Sequence, residues 1–147
     1  MIRFFGGRVM TLANDIETQD IEVWTEGSKI VFVGKPKAEE LDGKVFEREY
    51  DLKGNLLMPS FKNAHTHSAM TFLRSYADDM PLQDWLFKQI FPMEAKLDGE
   101  KVYWLTKLAI LEYLTTGCTA AFDMYFELDD YVKACVESGF RSVLCGA

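Results

Sequence analysis

The sequence holds two histidines in 147 residues, and they stand one residue apart, at His65 and His67. In an extended segment the side chains at i and i+2 project from the same face. The pair can therefore reach one point from one side, as two ligands of a divalent metal must. Spacing alone leaves alternatives: two solvated loop histidines, or one core and one exposed. Two imidazoles are also too few. A structural zinc takes a full tetrahedral set of protein ligands, and a catalytic zinc one fewer.

The elements that must position this pair come next. Leu56-Leu57-Met58 reads as a short buried strand entered from the turn Lys53-Gly54-Asn55 and leading to the histidines. Pro81 sits where a first helical turn tolerates it, and Leu82, Trp85, Leu86 and Ile90 follow at helical spacing. The whole stretch from Ser68 to Leu97 is long for a connection, which predicts a binding loop or lid. A second helix is predicted from an Asp98 N-cap to Thr116, closed by Gly117. Its apolar Trp104, Leu105, Leu108 and Leu111 predict heavy burial. Cys118 to Phe122 reads as a strand ending at Asp123-Met124-Tyr125. A third helix, capped by Asp129 or Asp130, runs to Ser138 and Gly139, and Arg141 to Cys145 is a further strand.

Residues 56–147 thus read strand, helix, strand, helix, strand, the pattern of parallel strands with right-handed crossovers. In such α/β folds functional residues gather at the C-terminal strand ends. Residues 1–55 read as a separate β-rich segment. Within it, Ile21 to Thr25 and Lys29 to Val33 form a hairpin around Glu26-Gly27-Ser28.

Composition excludes several classes. Hydrophobic residues make up 48%, a globular rather than disordered balance. The formal net charge of −7 argues against nucleic acid and anionic membrane as partners. No apolar run approaches a membrane span and no signal peptide is visible. Cys118, Cys135 and Cys145 form no CxxC pair and lie in apolar segments. They read as reduced core thiols of a cytoplasmic protein.

With these residues in view, the chain resembles a known family. His65-Thr66-His67 after Met58-Pro59 is similar to the first metal motif of the amidohydrolase superfamily. Asn63-Ala64 before it, then Leu73-Arg74, Ala77-Asp78-Asp79, Pro81-Leu82, Trp85-Leu86 and Asp123-Met124-Tyr125-Phe126, resemble one branch. That branch holds the 5′-methylthioadenosine/S-adenosylhomocysteine deaminases and the triazine chlorohydrolases. The resemblance covers essentially the whole chain.

The resemblance implies a TIM-like (β/α)8 barrel carrying one divalent metal, zinc first, with His65 and His67 as ligands. It implies Glu94 on the ribose hydroxyls and Trp85 in the pocket wall, with a small purine nucleoside as substrate. The remaining ligands and the proton-shuttling catalytic carboxylate are expected beyond residue 147. The barrel is therefore expected to be incomplete here, the remainder lying in the same or another chain, and the fragment alone to be inactive. A homo-oligomer is compatible with this. Two other readings stay open: a triazine chlorohydrolase or aminohydrolase on the same scaffold, and a non-catalytic interaction module. Asp123 reads as structural or supporting, Asp78 and Asp79 as helix caps, and Arg74 as half of a salt bridge. The family usually has glycine where Ser60 and Ser75 stand, which predicts backbone discomfort at Ser60. Lys62 replaces a commonly apolar residue, which predicts altered packing near the barrel mouth.

Overall fold

The computed structural model describes residues 1–13 and 17–146. Contacts divide the chain into two units, residues 1–59 and 60–147.

The first unit is β-rich. One sheet has the order β5 (Lys29–Gly34), β4 (Glu22–Glu26), β1 (Ile2–Phe5), β6 (Arg48–Asp51). The hairpin predicted around Gly27 is β4–β5, antiparallel with an irregularity between Trp24 and Thr25. A second sheet joins β3 (Thr18–Gln19), β2 (Arg8–Met10) and β7 (Leu56–Leu57). One short helix, α1 (Ala38–Leu41), interrupts the strands. Arg3 ties β1 to its neighbours by bonds to Glu22 and Glu49, and its guanidinium lies 4.7 Å from the Phe5 ring centroid.

The strand of Leu56-Leu57 therefore belongs to the first unit, pairing with β2. The strand that carries the histidines is instead β8 (Phe61–Thr66). Pro59 stands between them, and a residue without an N–H ends a ladder.

In the second unit β8, β9 (Cys118–Tyr125) and β10 (Arg141–Gly146) form a parallel sheet of order β10-β9-β8. Two long helices connect them: α4 (Gly99–Thr115) and α5 (Leu128–Ser138). Asp98 caps α4 by accepting the Lys101 N–H at 2.9 Å, and Gly117, at φ 84°, turns the chain out of it. Gly139, at φ 64°, closes α5 in the same way. The N-cap of α5 is Glu127 in the left-handed region, with Asp129 and Asp130 inside the first turn rather than capping it.

Side chains along β9 alternate. Ala121, Asp123 and Tyr125 are buried, while Phe122 and Met124 stand exposed on the opposite face. The buried face meets Val102 and Ile110 of α4 and Tyr131 of α5 in one core. Burying side chains such as Val102 and Ile110 contributes roughly 1.5–3 kcal/mol each. The expected heavy burial of α4 holds for only part of the helix. Val102, Thr106, Ala109 and Ile110 are buried, but Trp104 is 61% and Leu111 58% exposed, because only one side of the helix meets this sheet and α5.

Several smaller expectations resolve here. Lys62 sits at the start of β8, opposite the histidine end, where its Nζ meets Ser60 Oγ at 2.6 Å and Thr119 Oγ1 at 3.0 Å. Ser60 is not among the positive-φ residues, whereas Ser75 is, at 57°. Arg74 forms a two-pronged pair with Glu112, at 2.9 and 2.8 Å. Asp79 adopts φ 57°, and the cap position of the next helix belongs to Pro81. Cys118 and Cys135 are buried, but Cys145 is exposed near the end of β10. No helix among the described residues is long and apolar enough to cross a membrane.

Candidate functional site

The histidine pair is shaped by an irregular strand end. Asn63 of β8 pairs with Ala121, and Thr66 with Asp123, so β8 fits one residue more than β9 into this interval. Such a bulge re-aims side chains and frees an amide from the ladder. Here the His65 N–H donates to Asn63 Oδ1 at 3.1 Å. His67 follows at φ −134°, ψ 77°, and a 3-10 turn begins at Ser68 and runs to Leu73.

The two rings meet edge to face, with centroids 5.2 Å apart and planes at 83°. Two imidazoles on one tetrahedral ion, each bonded through a nitrogen about 2.0–2.1 Å away, have centroids about 5 Å apart, the spacing of this pair. His67 Nδ1 lies 2.9 Å from the Met124 carbonyl oxygen. A carbonyl only accepts, so Nδ1 carries the proton and Nε2 keeps its lone pair for a ligand. Among the described residues no cluster of three or more His, Cys, Asp or Glu side chains could hold an ion. The chain thus offers a pair, not a full set.

The segment after the 3-10 turn forms a wall in front of His67. Helix α2 (Leu82–Asp84) runs through a wider π-type turn over Trp85–Ile90 into α3 (Phe91–Glu94). Pro92 accounts for the widening, since its ring and missing N–H break the regular i to i−4 ladder. Trp85, Glu94 and His67 line one cavity of about 560 Å³ together with Met70, Tyr125 and Phe126. That is the size and largely apolar character of a small-molecule pocket. His65 does not line this cavity; its contact there is the His67 ring.

Burial pushes the Glu94 carboxyl above the usual carboxylate range, opposed in part by the nearby Tyr125 hydroxyl and His67 imidazole. Tyr125 is 3% exposed, and its hydroxyl proton is held tightly by burial and by the neighbouring Glu94 charge. Among the described residues its oxygen has no partner at hydrogen-bond geometry, although it acts on Glu94 electrostatically. The two groups therefore sit near one another without a formed bond. The sequence marks Tyr125 as a strand-end residue and as part of the Asp123-Met124-Tyr125-Phe126 resemblance, without a role in the pocket. A second cleft, of about 370 Å³ in the first unit, is lined by Phe4, Val9, Val23 and Met58 among others and carries no titratable group.

Comparison with known proteins decides the family. The model of the amidohydrolase family matches residues 56–147. The chain belongs to the amidohydrolase family. This amidohydrolase chain is 44% identical over 123 residues to a 5-methylthioadenosine/S-adenosylhomocysteine deaminase of Desulfitobacterium hafniense, covering 84% of the chain and 28% of that protein. It is 53% identical over 95 residues to a 5′-deoxyadenosine deaminase of Methanoregula boonei, covering 65% and 22%. Among solved structures it is similar to a zinc-bound adenosine deaminase from Xanthomonas campestris, at TM-score 0.89 and 33% identity, covering 97% of the chain and 33% of that structure. A zinc complex of atrazine chlorohydrolase from Arthrobacter aurescens TC1 shares the fold at TM-score 0.85 and 22% identity, covering 99% and 35%. The amidohydrolase chain therefore spans about a third or less of the length of these relatives.

Proposed function

We propose that this chain is the N-terminal part of a metal-dependent deaminase acting on an adenine nucleoside of the methylthioadenosine or S-adenosylhomocysteine type. In this reading the β-rich residues 1–59 are an N-terminal domain and residues 60–147 supply the first βα units of a (β/α)8 barrel, whose later strands complete it in the same or another chain. The protein works in the cytoplasm, and the assembled barrel leaves room for a homo-oligomer.

One observation supports the reading most: His67, Trp85 and Glu94 share the wall of one pocket, with the His65 ring meeting the His67 ring edge to face. His65 and His67 hold the ion through imidazole nitrogens, with zinc the first candidate because zinc accompanies the similar deaminase structure. Zinc bound there would supply a nucleophile near neutral pH, because zinc lowers the pKa of a water toward about 7. Glu94 accepts from the adjacent hydroxyls of the ribose, since an ionised carboxylate offers only acceptors. Trp85 packs against the purine, and the apolar lining excludes bulk water. The remaining ligands and the proton-moving carboxylate come from later strands, so residues 1–147 alone do not turn over substrate.

The test is ammonia release from methylthioadenosine by this chain joined to the later barrel strands of the Desulfitobacterium relative. Turnover lost on His65→Ala or His67→Ala and weakened on Glu94→Gln supports the reading. No ammonia from any adenine nucleoside, with the fusion folded and zinc-loaded, rejects it. A triazine carries no diol for Glu94, so triazine dechlorination indifferent to Glu94→Gln would select the chlorohydrolase alternative.

A further inference from the structure

Residues 65–68 alternate between two tasks. His65 and His67 meet ring to ring, while Thr66 and Ser68 turn into a buried cluster of hydroxyls. At the centre of that cluster lies Asp123, fully buried, whose hydrogen-bond donors among the described residues are all neutral. It accepts the Ser68 N–H, at 3.2 Å to both oxygens, the Ser68 Oγ–H, and the Tyr131 O–H at 2.6 Å.

The proton directions follow from donor counting. A carboxylate only accepts, so Ser68 must spend its hydroxyl proton on Asp123. Ser68 Oγ then accepts from Tyr113, whose oxygen is 2.9 Å away. Tyr113 has no second proton, so Thr66 donates to Tyr113 across 2.5 Å. The result is one directed chain, Thr66 to Tyr113 to Ser68 to Asp123. It grips the backbone immediately before and after His67 from α4 and β9.

We infer that Asp123 is a positioning residue for the histidine pair, acting through Ser68 directly and through Tyr113 on Thr66. The inference rests on reading His65 and His67 as metal ligands, and it assigns Asp123 no contact with ion or substrate. Charge-assisted bonds are about twice as strong as neutral ones, so rotation of the 66–68 backbone is resisted most where it would pull Ser68 from the carboxylate. Residues that orient metal ligands from behind typically carry about 10–100-fold in metal affinity.

The experiment uses the 147-residue chain with zinc alone. Zinc affinity is measured by chelator competition, and the imidazole nitrogens are followed by NMR above the ordinary histidine pKa of about 6.5. Ser68→Ala and Tyr113→Phe remove single hydroxyls. Asp123→Asn tests the carboxylate itself but risks the fold. Ser142→Ala is the control, because its hydroxyl bonds Tyr131 at 3.1 Å and the Ala121 carbonyl at 3.3 Å and lies outside the chain from Thr66 to Asp123. Expected are a weakening of zinc binding by about 10-fold or more for Ser68→Ala and Tyr113→Phe, and loss of the single His67 Nδ1–H tautomer, with Ser142→Ala shifting neither. Unchanged ring signals and unchanged zinc affinity in folded Ser68→Ala and Tyr113→Phe would overturn the inference. If two imidazoles alone bind no zinc in the unsubstituted chain, the ring signals still decide whether Asp123 positions the histidines.

Discussion

His67 Nδ1 is bonded to the main-chain oxygen of Met124, 2.9 Å away, and not to any side chain. The next strand thus sets the tautomer of a candidate ligand through an atom no substitution removes. Met124→Leu is therefore expected to leave zinc affinity and the His67 ring signals unchanged, while His67→Gln, which keeps polarity but loses the imidazole, abolishes binding. Chelator competition on the three proteins checks this.

Glu94 gives the proposed reaction a pH signature. Its folded-state pKa is raised, chiefly by burial, so the carboxyl takes up its proton at a higher pH than an ordinary glutamate at about 4.3. Only the ionised form accepts both ribose hydroxyls. As pH falls, the KM of the completed barrel for nucleoside should rise before ordinary glutamates titrate, with kcat following a separate profile. Glu94→Gln should raise KM roughly tenfold or more, the loss of at least one charge-assisted bond, and flatten the low-pH limb. Steady-state kinetics across pH read both effects.

Ser75 holds a left-handed backbone at φ 57° on the exposed end of the 3-10 turn. That conformation costs a non-glycine residue roughly 1–2 kcal/mol. Ser75→Gly should raise the thermal midpoint. Ser60→Gly, at a position without positive φ, should lower it, because the Ser60 hydroxyl also bonds Thr119 at 2.5 Å and Lys62 at 2.6 Å. Melting curves of the two variants should move in opposite directions.

The first unit carries its own acid sensitivity. Arg3 donates to Glu22 from Nε at 2.7 Å and Nη2 at 2.6 Å, and Trp24 Nε1 adds a bond at 2.9 Å. The Arg3 bond holds the Glu22 carboxyl below its ordinary range. A depressed folded-state pKa stabilises above the unfolded value, about 4.3, and that contribution fades as pH falls toward the folded one. Melting temperature should drop on acidification below about pH 5, and Glu22→Gln should show a lower plateau with a shallower fall.

Legibility followed the range of the forces involved. The β4–β5 hairpin, α4 with its Asp98 cap and Gly117 stop, and β9 are specified by neighbours in sequence, and they could be read there. The histidine-bearing strand was not, because Phe61-Lys62-Asn63-Ala64 has neither alternation nor β-branched residues, while Leu56-Leu57 next to it has the apolar run. Apolar content marked α4 for burial but could not say which sides of the helix are covered. The candidate residues His65, His67, Trp85 and Glu94 could be named from motif. The link between Ser68, Tyr113 and Asp123 could not, since it joins residues 45 and 55 positions apart through hydroxyls that carry no pattern.

The split along residues 65–68 also sets where this molecule tolerates variation. Leu86, Phe91 and Phe126 line the pocket without touching the hydroxyl cluster, so a library randomised there should yield mostly folded clones of altered selectivity. Randomising Thr66 and Ser68 should return few folded clones, although neither residue faces a guest. The scaffold can be re-tailored from the front only while its back is left alone.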